Sequence, residues 1–279
     1  MTFAQFCAAH GLLIRYLTPS AKVRRCPTTC APNEQKGWYL YDGRFGACGI
    51  WRGLDNGAQV YKPGKDAEPQ HLTQADFDAI AKRLEAERAA LAQRYATAAA
   101  KAARMLAGAE MRSHAYLARK GFPELLAPCL MDGKVLLVTM WRGRKLVSLQ
   151  SIAEDGKKLF LSGGEAKGSV HQIGDVGVAI LCEGFCTGLS VAAAIKASKM
   201  RAHVVICFSA TNMVHVAERY QDARVIADND ESRTGEIAAQ KTGLRYFMPP
   251  VLGQDFNDMH RTQGLFAASQ RIRELLLTK

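Results

Sequence analysis

What this 279-residue chain lacks closes off several classes at once. No run of 18 or more apolar residues occurs, so no segment reads as a transmembrane helix. The opening MTFAQFCAAHGLLIRYL has no basic stretch ahead of its apolar residues and no small-residue cleavage site. It does not read as a secretion signal. The eight cysteines are therefore expected as free thiols in a reducing cytoplasm, with Cys182 and Cys207 inside apolar runs as small core residues. Cys26 and Cys30 form one C-x3-C pair, with Cys48 and Cys7 or His10 as further donors. No second pair follows, so the spacing does not support a zinc ribbon. No G-x-S-x-G appears, which removes the usual hydrolytic serine. Internal repeats and low-complexity tracts are absent too. Hydrophobic residues at 48% and charged residues at 23% exclude disordered and collagen-like classes.

Acidic charge is scarce over most of the chain. Lys and Arg number 37 against 26 Asp and Glu, a net charge of +11. Residues 1–72 hold 9 basic and 5 acidic side chains and residues 73–170 hold 16 and 10, whereas 171–279 hold 12 and 11. The positive field thus belongs to the first two thirds, and the last third is nearly neutral with clustered acids. Such a surplus fits a polyanionic partner, or no more than a solvated basic surface, and charge alone does not choose between them.

Residues 1–72 read as a small β-rich module. A short helix near 2–11 precedes Gly-punctuated strands bearing Trp38, Tyr39, Tyr41, Phe45, Trp51 and Tyr61. KPGKDAEPQ (62–70) has the composition of a linker. Thr73 with Asp76 approximates a capping box that opens a helical connector over 73–110. Its strong helix formers would span about 50 Å unbroken, as a solvated strut or a weakly patterned coiled-coil strand. Residues 111–176 read as a mixed α/β piece. HAYLARKGF is a short helix ended by Gly121, and VLLVTMWRGRKLVSLQSIAEDGKKLFLSGG is an antiparallel meander with turns at RGRK and EDGKK. Over 177–279 strands and helices alternate: GVAILCEG, TGLSVAAAIKAS, HVVICFSATN, MVHVAERYQ, ARVIADND, ESRTGEIAAQKTG, LRYFMPP and a last helix at 263–278. That alternation predicts an α/β domain with a parallel sheet and helices on both faces.

Acids stand at the ends of these predicted strands. Glu183 follows VAILC directly, and Gly184 gives a tight exit into the next helix. Asp228 and Asp230 follow RVIA, and Asp255 and Asp258 lie in GQDFND beyond the next strand. Ligands of open parallel sheets bind outside the carboxyl ends of the strands. A single Asp in such a place is often only a helix cap. Five carboxylates at three successive strand ends repel one another unless a cation is present. With no His or Cys at ligand spacing, this is a hard oxygen donor set suited to Mg²⁺ or Mn²⁺.

VAILCEGFCTGLSVAAA and VIADND resemble the two hallmark motifs of the Toprim domain, which is shared by bacterial-type primases, type IA and II topoisomerases, small nucleases and recombination mediators. The resemblance covers about 177–260. HAYLARKG, LLVTM, LVSLQSI, DGKKLFLSGGEAKG, HQIG and GQDFND are similar to Toprim primases of phages and conjugative plasmids, which extends it to 112–260. The first 110 residues resemble the leader of the same proteins with less distinctive motifs. The resemblance implies a Rossmann-like parallel sheet preceded by a mixed α/β subdomain. It implies a DNA primase, a nucleotidyltransferase that joins ribonucleoside triphosphates on single-stranded DNA with Mg²⁺ or Mn²⁺ during phage or plasmid replication. The chain has no Walker A motif, so a replicative helicase would be a separate partner. Carried onto this sequence, Glu183 is the general acid/base or a metal ligand, Asp228 and Asp230 are metal ligands, and Asp255 and Asp258 hold the place of the third acidic motif. One departure is Thr187, where bacterial-type primases carry an Asp; it bears on the number of metals.

Primer synthesis needs cations opposite the acids to hold triphosphate and template. The candidates are Arg142, Arg144, Lys145, Lys157, Lys158 and Lys167. Lys158 and Lys167 match positions where bacterial-type primases hold a basic cluster. Asn212 is read either as a phosphate contact or as a cap of the helix that follows. In the first module, Arg24, Arg25, Arg44 and Arg52 flank aromatic strands that could stack on single-stranded DNA, while a plain aromatic core accounts for most of those rings. A metal-dependent nuclease of the same fold and a non-catalytic nucleic-acid-binding module with a relict site stay open as alternatives.

Overall fold

The computed structural model of the protein describes residues 1–51, 58–62 and 74–277. The linker at 62–70 beyond Lys62, Arg52 and the Thr73 cap lie outside the described residues. The chain divides into two compact units, residues 1–89 and 90–279, with the boundary inside one helix.

The first unit holds α1 (Phe3–Ala9) and an antiparallel four-stranded meander, β1 (Ser20–Cys26), β2 (Gly37–Tyr41), β3 (Gly46–Ile50) and β4 (Gln59–Tyr61). Thr2 and Gln5 form a reciprocal capping box that starts α1. The core is aromatic and thiol-rich: Phe3, Cys7, Leu12, Cys26, Tyr39, Cys48 and Tyr61. Phe3 stacks on Tyr41 with ring centroids 4.6 Å apart. Cys30 is exposed, apart from the other three cysteines of the unit. Burial, then the neighbouring Cys48, pushes the Cys26 thiol up to about 11, so it is held as a thiol at neutral pH.

The helix α2 (Gln74–Ala107) follows, over the stretch whose composition predicts it. In the second unit comes an antiparallel five-stranded sheet in sequential order: β5 (Glu110–Arg112), β6 (Ala127–Leu130), β7 (Val135–Arg142), β8 (Lys145–Ala153) and β9 (Lys158–Phe160). The short α3 (Ala115–Arg119) lies between β5 and β6.

The third sheet contains β10 (His171–Ile173), β11 (Val178–Cys182), β12 (Ala202–Ile206), β13 (Arg224–Ile226) and β14 (Arg245–Phe247) in the order β10-β12-β11-β13-β14. Four strands run parallel, and β10 is an antiparallel edge strand. The four strands expected over 177–279 are thus parallel, and HQI, ahead of them in the chain, adds an antiparallel edge to that core. The helices are α4 (Phe185–Ser198), α5 (Ala210–Ala217), α6 (Thr234–Thr242) and α7 (Phe256–Leu277).

Alternate residues of each strand face opposite ways, and the burial follows that rule. Ile180, Cys182, Val204, Ile206 and Ile226 pack with α4 and α7, and in the same core lie Leu117, Leu136, Val138, Met140 and Ile152 of the antiparallel sheet and α3. Ala179, Leu181, Val205 and Val225 pack with α5 and α6 on the other face. The antiparallel and parallel sheets are also joined by a bridge in which Trp141 and Val170 exchange backbone hydrogen bonds of 2.8 Å.

α7 opens at Phe256 with helical turns that were not expected, and its part beyond Gly264 is the last helix expected at 263–278. Asp255 and Asp258 cap α7, as described below, and it bends at Gly264, whose φ of 84° lies outside the helical range. Because one core serves both sheets, Leu136→Ala is expected to destabilise the whole second unit by about 2–5 kcal/mol. Thermal melting followed by far-ultraviolet circular dichroism should show one lowered transition. Separate loss of the antiparallel sheet alone would contradict the shared core.

Candidate active site

Glu183 stands one residue beyond β11 and Asp228 two beyond β13, so adjacent parallel strands deliver both to the same sheet edge. The Glu183 carboxylate accepts a hydrogen bond from the backbone N–H of Ala210, the first residue of α5. Both acids line a solvent-open cleft of about 530 Å³ with Asp255, Lys120, Lys158 and Phe208. Gly235 has no Cβ for a steric reason. One placed there would stand 2.5 Å from the Asp228 carbonyl oxygen, so glycine lets α6 begin against the backbone that carries Asp228.

The electrostatics follow from burial and crowding. Burial raises the Glu183 carboxyl above its ordinary range, with Lys158 opposing and Asp230 adding to the rise. Asp228 is pushed from 3.8 up to about 7, first by burial, then by the charges of Asp255 and Glu183, against the pull of Lys158. Its Oδ1 is buried and has no hydrogen-bond partner. A buried carboxylate oxygen facing no donor fits a cation, and the all-oxygen set fits a hard one. Among the described residues no three His, Cys, Asp or Glu side chains are already gathered as a metal-binding group. Mg²⁺ does not require that, since it is bound by one or two carboxylates and keeps several waters. Glu183 and Asp228 are the pair that fits it, with Asp230 acting electrostatically on both.

The other sequence candidates divide. Asp230 does not line the cleft; its Oδ1 accepts from the Ser232 hydroxyl at 2.6 Å and the Thr234 N–H at 3.2 Å and so shapes the turn into α6. Asp255 and Asp258 cap α7 reciprocally. Asp255 Oδ1 accepts from the Asp258 N–H at 2.7 Å, and Asp258 Oδ2 accepts from the Asp255 N–H at 3.4 Å. Lys158 faces the acids, whereas exposed Lys167 does not line the cleft. Arg142 is ion-paired with Glu165, and Arg144, Lys145 and Lys157 are exposed at the meander's turns, outside the cleft lining. Thr187 is buried and lines the cleft.

Asn212 serves neither expected purpose. Ser209 caps α5. The Asn212 side chain is buried, with Oδ1 accepting from the Gly168 N–H at 2.6 Å and Nδ2 donating to the Ser169 and Cys207 carbonyls, both at 2.8 Å. It pins the loop that carries Lys167 to the end of β12, and no polar atom of its amide is left for phosphate.

Sequence reasoning passed over Lys120, Tyr116, Gln150 and Cys186, which also line the cleft. Lys120 lies in the HAYLARKG run that carries the family resemblance, and that run was the available signal. Its partner Asp258 is 138 residues away, a pairing that no local pattern announces.

Residues 178–265 match the Toprim domain family. This part of the chain is a Toprim domain. Among solved structures, the protein is similar to a bacteriophage T7 chain from lagging-strand DNA polymerase interacting with primase domains bound to an RNA/DNA hybrid and dTTP. Identity there is 15%, coverage 61% of this chain and 92% of that one, and the TM-score 0.43. It is similar to the primase fragment of the bacteriophage T7 primase-helicase protein at 14% identity, 59% and 69% coverage and TM-score 0.39. A DNA primase domain from Pseudomonas aeruginosa matches at 14% identity, 53% and 52% coverage and TM-score 0.36. Among the described residues no helix is long and apolar enough to cross a membrane.

The raised Asp228 pKa has a thermodynamic consequence. Between about pH 4 and 7 the unfolded chain releases this proton while the folded Toprim domain retains it, so stability falls as pH rises. Below 3.8 the contribution is fully present, and above about 7 it is lost. In metal-free buffer the melting temperature is expected to drop across this window. Mg²⁺ or Mn²⁺ should restore stability most at the high-pH end, because the ion binds the ionised form. Asp228→Asn should melt higher than wild type without metal at pH 8 and gain little from metal. A wild-type metal response in that variant would remove Asp228 from the site.

Proposed function

We propose that the protein is a metal-dependent primase that joins ribonucleotides on single-stranded DNA. The observation that carries this reading is Lys158, a cation brought from the antiparallel sheet to face Glu183 and Asp228. A nuclease needs a metal and a water. A polymerising enzyme must also seat a nucleoside triphosphate of about four negative charges beside carboxylates, and a cation across the cleft reduces that repulsion. The basic surplus ahead of residue 171 agrees with a nucleic-acid partner.

In this reading, Glu183 and Asp228 are the residues that would hold Mg²⁺ or Mn²⁺, with Asp230 adding negative charge beside them. The ion would make the attacking 3′-hydroxyl more acidic and offset charge on the transferring phosphoryl group. Lys158 holds the phosphates of the incoming nucleotide against the cleft wall. Burial raises the Glu183 carboxyl without metal, and an ion bound there would hold it ionised as a ligand. A separate helicase and a phage or plasmid setting belong to the same proposal.

The decisive assay supplies single-stranded DNA, labelled ribonucleotides and Mg²⁺ or Mn²⁺, and resolves products on a gel. Short metal-dependent oligonucleotides are expected. Lys158→Ala should lower synthesis by roughly ten- to a hundredfold, about 1.4–2.8 kcal/mol. Lys167→Ala should have the smaller effect, with DNA affinity changing little in either variant. DNA cleavage without nucleotide incorporation would replace primase by nuclease. Neither activity, with DNA binding intact, would leave a binding module.

A further inference from the structure

Lys120 is the one cation of the cleft that the mechanism above leaves unused. It follows α3 as its C-terminal cap and has a quarter-exposed side chain. Its Nζ is 3.2 Å from Asp258 Oδ1 and 3.7 Å from Asp255 Oδ2. Its carbonyl accepts from Asn257 Nδ2 at 2.9 Å, and the same amide donates to the Ser190 hydroxyl at 2.9 Å. Side chain and backbone of Lys120 are thus both tied to the start of α7.

With the reciprocal capping bonds, all four carboxylate oxygens of Asp255 and Asp258 have a protein partner. Oδ1 of Asp255 and Oδ2 of Asp258 face backbone N–H groups, and the other two face Lys120. Asp228, in the same cleft, has an oxygen with none. A dication at Asp255 and Asp258 would have to displace an ammonium bound on two sides, or sit within a few ångströms of it and be repelled. Thr187 further lowers the negative charge of the cleft.

We propose that Lys120 is the built-in counter-cation of Asp255 and Asp258, so that the cleft takes one divalent ion, at Glu183 and Asp228, and not two. The inference rests on the metal site of the proposed function and specifies it. Lys120 is here a positioning residue. It offsets half the charge of the second acidic pair and ties the start of α7 to the end of α3 without using a metal.

The test is Mn²⁺ stoichiometry by isothermal titration calorimetry on the full chain, with circular dichroism melts as the folding control. Wild type should bind one Mn²⁺ in the cleft. Asp228→Asn should abolish it, and the double variant Asp255→Asn, Asp258→Asn should retain it, because amides still cap α7. Lys120→Met should raise the number from one to two, and Lys120→Arg should keep it at one. Two ions in wild type, one of them lost in the double Asn variant, would overturn the inference and leave the metal site standing. So would an unchanged stoichiometry in a folded Lys120→Met. No Mn²⁺ binding in wild type would overturn the metal site and the inference together. If Lys120→Met fails to fold, wild type and the double variant still decide the matter.

Discussion

Crowding of like charge in a place short of water is the constraint on which this site depends. Parallel β11 and β13 end on the same edge and deliver Glu183 and Asp228 there, and Asp255 follows from the loop after β14. The result shows in Asp228, raised to about 7 by burial and by two neighbouring carboxylates. In this chain two offsetting cations, Lys120 and Lys158, come from residues ahead of the Toprim domain. The electrostatics of the candidate site are therefore completed by the segment that precedes it.

That completion requires the cations to be held in place. Lys158 opens β9, a three-residue edge strand that pairs only with β8, and an edge strand alone is a weak support. Its partner strand β8 contributes Ile152 to the core that also contains Ile180, Val204 and Ile226 of the parallel sheet. The Trp141–Val170 bridge fixes the two sheets at a second place. Burying both sheets in one core holds β8 against the parallel sheet, since separating them would open apolar surface worth about 25 cal/mol per Å², and β8 in turn carries β9 by backbone pairing.

The parts of this architecture written in local pattern are the parts that sequence reveals. VAILC and HVVI are continuous apolar runs, and a strand buried on both faces has to look like that. Glu183 and Asp228 were readable as site residues because a strand's end is a position in the chain as well as in space. The helical turns of α7 ahead of Gly264, the edge strand β10 and the true work of Asn212 were not. Each depends on what another segment supplies: a reciprocal cap, an edge left open beside β12, a loop at Gly168. Lys120 is the extreme case, since an exposed-looking lysine at a helix end becomes a site residue only through acids more than 130 residues later.

The D-x-x-D at 255–258 shows why spacing alone cannot divide ligand from cap. Three residues is the separation of a motif that presents two carboxylates to one ion, and it is also the separation of N-cap and N3 in a capping box. The two readings make opposite demands on the oxygens: a ligand must leave one open, whereas a cap turns one toward a backbone N–H. In Asp255 and Asp258 one oxygen each is committed to the backbone and the other to Lys120. In Asp230 one oxygen is committed to the turn before α6. Asp228 Oδ1 is the buried carboxylate oxygen that no donor claims, and it lies where the field of the other acids is strongest. A cation bound in this cleft would accordingly be held chiefly by Asp228, with the surrounding carboxylates acting first through the charge that raises its need for one.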